Sequence, residues 1–306
     1  MSHSVAALLT LALAFGASAG GAMAQNGRAQ DGQVQDGWPQ DGRLQDGRLK
    51  AIAASKTIRI AHRTDAVPFS FIDSNKTVAG YTVDLCKAAV TALARQLNIP
   101  ALTIAWVPVT THDRFSAIAD GKADLECGAS TVTLTRMKQV DFSNYIFVES
   151  TGIAVGAKAS IDKLADLAGK RIAVIGGTSN ERVMVAKNRE MKLGATLVSV
   201  TDRDEAVAAL EDGRVDAFAS DKLLLYGAQF KNPQALRALS DDLSVEPYAI
   251  VLPRGDWELR LAVNAALAEL YRSGEAEKIF GQWFGTLGLR PGSLLKAVYM
   301  LGAVAE

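Results

Sequence analysis

The sequence predicts an α/β fold built as two doubly wound lobes joined by a two-stranded hinge, and three observations carry that prediction. Strand-like and helix-like segments alternate over residues 57–127. The same alternation resumes over residues 170–221, and extended apolar stretches near residues 149–153 and 246–249 take the chain across and back. A chain of 306 residues with 49% apolar side chains is long enough to fill two cores. Its formal net charge of zero supplies no basic face, so neither nucleic acid nor an anionic membrane is an expected partner.

The first residues concern location rather than fold. A short polar start, an apolar run over residues 5–15 (VAALLTLALAF) and small residues ending at Ala22-Met23-Ala24 have the layout of a secretory signal cleaved after Ala24. The run is too short to span a bilayer comfortably. Gln-Asp-Gly then recurs every five residues, at Gln30, Gln35, Gln40 and Gln45. Glycine in each unit and almost no apolar side chains cannot offset ordering entropy, so residues 25–55 are expected to form a flexible linker.

From residue 56 the elements follow in order. Residues 57–62 (TIRIAH) form a strand by alternation and β-branching, and residues 67–76 a loop or short hairpin. Gly80 opens a helix over residues 81–96, with Val83, Ala88, Val90 and Leu93 at helical spacing. A strand over residues 102–107, a helix over residues 110–120 stopped by Gly121, and a strand over residues 124–127 complete a βαβαβ order. That order predicts a parallel sheet with a ligand crevice at the carboxyl ends of its strands.

Those ends deliver chemistry. The first carries Arg63, the second Thr110, Thr111 and Arg114, the third Ser130, Thr131 and Arg136. Residues 124–143 (DLECGASTVTLTRMKQVDFS) concentrate the signal: a strand, Gly128, a hydroxyl-rich turn and then an arginine. Backbone N–H groups at a helix N-terminus, hydroxyls and a guanidinium fork suit a carboxylate. Taken singly, these residues read as caps and surface ion pairs. Arginines at three successive strand ends favour a site for two anionic groups.

The second half repeats the logic. Residues 161–167 form a short helix and residues 170–175 (KRIAVI) a strand. Gly176-Gly177-Thr178-Ser179 then opens a helix over residues 180–192, without the lysine of a phosphate-binding loop. A strand over residues 196–200, a helix over residues 203–212 and a strand over residues 215–220 lead to Asp221, which reads as a helix cap, an ammonium acceptor, or both. A strand over residues 246–252 and helices over residues 256–273 and 275–284 return to the first lobe. The lobes are therefore expected at residues 56–150 with 248–290, and at 151–247, with residues 291–306 as a tail able to pack as a helix.

Together these motifs resemble a known family. HRTDAVPFSFID, GYTVDLCKAAV, ADLECGASTVTLTRMKQVDFS, GKRIAVIGGTS, GRVDAFASD and SGEAEKIFGQWF are similar, in order, to segments of the periplasmic amino-acid-binding proteins of ABC importers. The branch most resembled is the glutamate/aspartate-binding one, within family 3 of the bacterial solute-binding proteins. The resemblance implies a type II periplasmic binding protein fold and a periplasmic, monomeric binding protein rather than an enzyme. Such a protein captures L-glutamate or L-aspartate by hinge closure and hands it to a membrane permease. It also implies roles: Arg136 and Thr131, with Thr178, for the α-carboxylate; Asp221 for the α-ammonium; Arg63 and Arg114, with Thr111, for the side-chain carboxylate. Ser130 lies beside them in the ligand loop. Arg203 stands where that branch carries a histidine, and Ala129 where it carries a serine. The bare chemistry agrees, since a zwitterion needs one cation and one anion, and a second carboxylate needs further cations.

Cys86 falls in the first helix and Cys127 in the third strand, placed either for one bridge in an oxidising compartment or as two small buried side chains. Three histidines and two cysteines lack metal-ligand spacing, and neither metal nor cofactor is expected. The alternative reading is a cyclohexadienyl dehydratase acting on prephenate or arogenate from the same scaffold, with Glu126 as its acid or base.

Overall fold

The computed structural model describes residues 47–305. The signal read at residues 1–24 and the repeat that follows it, apart from Gly47, lie outside the described residues. Residues 48–55, expected to belong to the linker, are instead ordered structure. Arg48–Ser55 is a helix, α1, with Leu49 and Ile52 buried. Its stretch RLKAIAAS sets two apolar side chains one turn apart, which gives the helix a face to bury. Arg48 anchors it, donating from Nη1 to Asp124 Oδ1 at 2.8 Å and from its backbone N–H to Asp256 Oδ2 at 3.0 Å.

The first lobe starts with β1 (Thr57–Arg63). A small antiparallel sheet follows, made of β2 (Asp65–Ala66), β3 (Ser70–Ile72) and β4 (Val78–Ala79). Next come α2 (Tyr81–Gln96), β5 (Thr103–Val109), α3 (Arg114–Ala119), β6 (Leu125–Glu126) and β7 (Val140–Glu149). The chain then enters the second lobe through β8 (Thr151–Gly156), β9 (Arg171–Ile175), α4 (Ser179–Glu190), β10 (Thr196–Val200), α5 (Arg203–Glu211), β11 (Ala217–Asp221), α6 (Lys222–Lys231) and β12 (Leu236–Ala238). It returns through β13 (Glu246–Pro253), α7 (Trp257–Arg272), α8 (Glu275–Phe284) and α9 (Ser293–Gly302).

Each lobe is a five-stranded sheet, ordered β5-β1-β6-β13-β7 in the first and β10-β9-β11-β8-β12 in the second. In both, three parallel strands are continued by two antiparallel ones. The parallel strands put the ends of β1, β5 and β9 on the same side as the helix starts that follow, which is where a crevice forms. Buried faces hold this in place. In the second lobe Ile153, Val155, Ile172 and Val174 fill one face while Ala154, Ala173 and Phe218 fill the other, so the sheet is covered on both sides. In the first, Phe69, Tyr81, Phe147, Phe280 and Phe284 form an aromatic cluster, with Phe69 and Phe147 4.9 Å apart edge to face. A disulfide joins Cys86 of α2 to Cys127 just past β6, over a Cα–Cα distance of 6.4 Å. The tail forms α9 and buries Leu295 and Tyr299.

The two crossings run side by side, with Glu149 and Glu246 register partners in the β7–β13 ladder. Their carboxylates fare differently. Glu246 Oε1 accepts from Thr151 and Ser244, and its Oε2 from Thr131 and Ser179. Glu149 accepts the Leu223 backbone N–H at 2.6 Å, but burial and the nearby Asp221 charge push its carboxyl well above the usual range. A carboxyl raised in the folded state binds its proton more tightly than the unfolded chain does. Its contribution to stability is therefore full below the ordinary carboxylate pKa and is lost as pH rises towards neutrality. Glu149→Gln keeps the acceptor and removes the charge. The variant should melt about 2–4 °C above the unsubstituted protein at neutral pH, and the gap should close in acid when both are followed by circular dichroism.

Candidate ligand-binding cleft

The strand ends converge as the alternation requires. Arg63, Thr111, Arg114, Thr131 and Arg136 from the first lobe, and Thr178, Arg203 and Asp221 from the second, line one cleft between the lobes. Ser130 is the candidate that does not line it. It is fully buried behind, where its hydroxyl accepts from Arg114 Nε at 3.0 Å.

The cations are built in rather than laid on the surface. Arg63, Arg114, Arg136 and Arg203 are 2%, 3%, 8% and 7% exposed, values at which an arginine needs partners. The Arg136 Nη1 donates to the Thr131 carbonyl at 2.7 Å, and Arg114 donates to the Thr111 carbonyl. Both guanidinium groups also lie over the ring of Phe115, 4.5 and 4.7 Å from its centre, which spaces two like charges with a π face. Burial, followed by the charges of Arg136 and Arg63, brings Arg114 down to about 9. Burial and then Arg203 lower Arg63, and burial and then Arg182 lower Arg136. Burial and the neighbouring guanidinium charges thus depress Arg63, Arg114 and Arg136 together, and an incoming anion would restore these three towards their ordinary value.

The ligand loop departs from its expected form. After the hydroxyl-rich turn the chain makes only a three-residue 3-10 turn, Arg136–Lys138, before β7, because just four residues separate Thr135 from the next strand. No α-helix N-terminus faces the cleft there. The second lobe supplies one instead. Thr178 caps α4 by accepting the Glu181 N–H at 3.1 Å and donates to the Ile175 carbonyl, and a helix start of this kind leaves its first N–H groups without intrahelical partners. The Thr131 hydroxyl donates to Glu246 Oε2 at 2.8 Å, so both threonines are held in fixed positions at the cleft.

Asp221 ends β11 and precedes α6 but makes no side-chain cap. It is 6% exposed; burial and the charge of Glu246 push its carboxyl up, and Arg203, with Nη2 3.9 Å from Oδ2, pulls it back. Asp221 Oδ1, Ser220 Oγ, Thr111 Oγ1 and the Nε atoms of Arg63 and Arg203 are buried without a hydrogen-bond partner among the described residues. Such atoms are normally satisfied, and this many in one cleft mark it as a receptor for polar groups. Glu126 is different. It is fully buried, outside the cleft lining, with burial raising its carboxyl against the pull of Arg114, so it is not placed as an acid or base for a substrate there.

Three participants carried no local signal in the sequence. Phe115 is one of many apolar helix residues, Glu246 begins a strand more than a hundred residues from Thr131, and Asp65 follows Arg63 in a loop-like stretch. Asp65 accepts from Arg63 Nη2 at 2.5 Å and from Arg203 Nη1 at 2.8 Å.

This architecture has known counterparts. The glutamate/aspartate import solute-binding protein of Salmonella typhimurium is 36% identical over 235 residues, covering 76% of this chain and 78% of that protein. Among solved structures, an ancestral arginine-binding protein bound to arginine superimposes with a TM-score of 0.66 at 30% identity, covering 75% of this chain and 98% of that one. An ancestral amino-acid-binding protein, a precursor of cyclohexadienyl dehydratase, gives a TM-score of 0.66 at 28% identity, covering 78% of this chain and all of that one (100%). Each is named as a binding protein rather than an enzyme. The bacterial extracellular solute-binding proteins, family 3, match residues 58–286, and this chain belongs to that family.

Proposed function

We propose that the protein captures an acidic L-amino acid, glutamate or aspartate, between its lobes and delivers it to the membrane permease of an ABC importer. The observation that carries this reading is the burial of four guanidinium groups around one cleft that also holds the Asp221 carboxylate. An α-carboxylate pairs with Arg136, with Thr131 and the start of α4 beside it. The ammonium pairs with Asp221, and the side-chain carboxylate with Arg63 and Arg114. A neutral amino acid leaves the second cationic group unanswered, and a basic one meets like charge. The Salmonella relative's name supports the same ligand class. Export behind a signal cleaved after Ala24 rests on the sequence pattern of residues 1–24.

A thermal-shift screen of all amino acids tests the reading. Ligand at a hundredfold its dissociation constant stabilises the native state by about 2.7 kcal/mol. Glutamate and aspartate should therefore raise the melting temperature by roughly 5–10 °C, given about 2–4 °C per kcal/mol for a chain of this size class. A larger shift with a neutral or basic amino acid would overturn it.

A further inference from the structure

One carboxylate spans the lobes. Asp65 belongs to β2 of the first lobe, as Arg63 belongs to β1, but Arg203 is the first residue of α5 in the second. Asp65 Oδ1 accepts from Arg63 Nη2 at 2.5 Å and its Oδ2 from Arg203 Nη1 at 2.8 Å, while the side chains of Arg63 and Arg203 keep 3% and 9% of their exposure. Bonds of this kind, charged at both ends and mostly dry, are stronger than surface ion pairs. Burial works to push the Asp65 carboxyl up, but Arg203 and Arg63 beside it prevail and hold it below the usual range, so it stays ionised.

The same seam is tight at its backbone. Gly227 sits inside α6 of the second lobe, against Val67 in the turn between β2 and β3. A Cβ at Gly227 would lie 2.6 Å from the Val67 carbonyl oxygen. Glycine inside a helix is unfavourable relative to alanine, and here it permits the approach of the lobes. Across the cleft mouth, His112 Nε2 lies 3.0 Å from the Thr201 carbonyl oxygen.

We propose that Asp65 is a positioning residue of the cleft: it gathers Arg63 and Arg203 from opposite lobes onto one carboxylate and so clasps the lobes together before a ligand is bound. The clasp deepens the reading of the cleft as an acidic amino-acid receptor and rests on it for the ligand alone. It assembles the side-chain end in advance. Asp65 occupies one Nη of each arginine, and the unpartnered Nε atoms of both remain for a ligand. It also raises affinity, because a ligand for the closed form binds more weakly in proportion to how rarely that form is populated.

Small-angle scattering of the ligand-free protein, with calorimetry of L-glutamate, tests the clasp on the full mature chain. Asp65→Asn and Arg203→Gln should each enlarge the ligand-free radius of gyration and weaken L-glutamate by about tenfold. The double variant should be no worse than Arg203→Gln alone, as expected if Asp65 acts through its contact with Arg203. Gly227→Ala leaves both charges in place and props the lobes apart at Val67. It should enlarge the radius and weaken binding as well, and it keeps the test decisive if a charge variant fails to fold. Unchanged ligand-free radii in the variants, or losses that simply add in the double variant, would overturn the clasp. An unsubstituted protein that is compact without ligand and opens on Asp65→Asn, yet takes up no acidic amino acid, would sink the ligand reading and leave the clasp standing.

Discussion

Arg136→Ala should weaken glutamate and aspartate binding by roughly thirtyfold or more in calorimetry. Arg136 is 8% exposed, so a carboxylate paired with it meets a largely buried guanidinium group. Truncating one partner of a buried, hydrogen-bonded charge pair costs about 2–5 kcal/mol, most of it from the charge left unanswered. That corresponds to roughly thirtyfold to several thousandfold in affinity. The fold should survive, because the bond Arg136 Nη1 makes here goes to the Thr131 carbonyl in its own loop. A variant that folds and binds glutamate within a few-fold of the unsubstituted protein would show that the ligand loop does not hold the α-carboxylate.

Arg114→Ala should separate glutamate from glutamine. Glutamate loses the pairing of its second carboxylate, about 2–4 kcal/mol, whereas glutamine loses a neutral hydrogen bond worth about 1 kcal/mol. The variant should not be correspondingly less stable. Arg114 is held down to about 9 by burial and by Arg136 and Arg63, so removing it relieves a crowded cluster even as it leaves Ser130 and Phe115 with less to pack against. Selectivity and stability therefore part company in this variant. Equal losses for both ligands would remove the case for a side-chain carboxylate pocket.

The residues that could be read from the sequence are those whose position follows from local pattern. A strand with period two, followed by a helix, must end at the crevice, so Arg63, Arg114 and Asp221 could be placed from chain order alone. Thr178 was visible for the same reason, as a hydroxyl at a helix start. What stayed hidden depends on which segments meet. Nothing near Asp65 indicates that a helix start 138 residues later brings Arg203 against it. Nothing in the VTLTRMKQ stretch forbids a helix, and only the arrival of β7 limits it to one 3-10 turn. Helix α1 was absorbed into the repeat beside it, because glycine-rich composition up to Gly47 masked two apolar residues whose value lies in the surface they cover.

The disulfide has a consequence for selectivity. The covalent ring it closes, from Cys86 to Cys127 with a sequence separation of 41, contains Thr111, Arg114 and Phe115 but neither Arg63 nor Arg136. Two arginines of the cleft thus answer to different constraints: the loop carrying Arg136 is held by β13 and Glu246, while Arg114 lies within a ring closed by a cross-link that forms and persists where the surroundings are oxidising. Under the proposed roles, reduction should loosen Arg114 while leaving the Arg136 loop held, and so weaken glutamate more than glutamine. On that reading, the oxidation state of one cysteine pair tunes the choice between an acid and its amide.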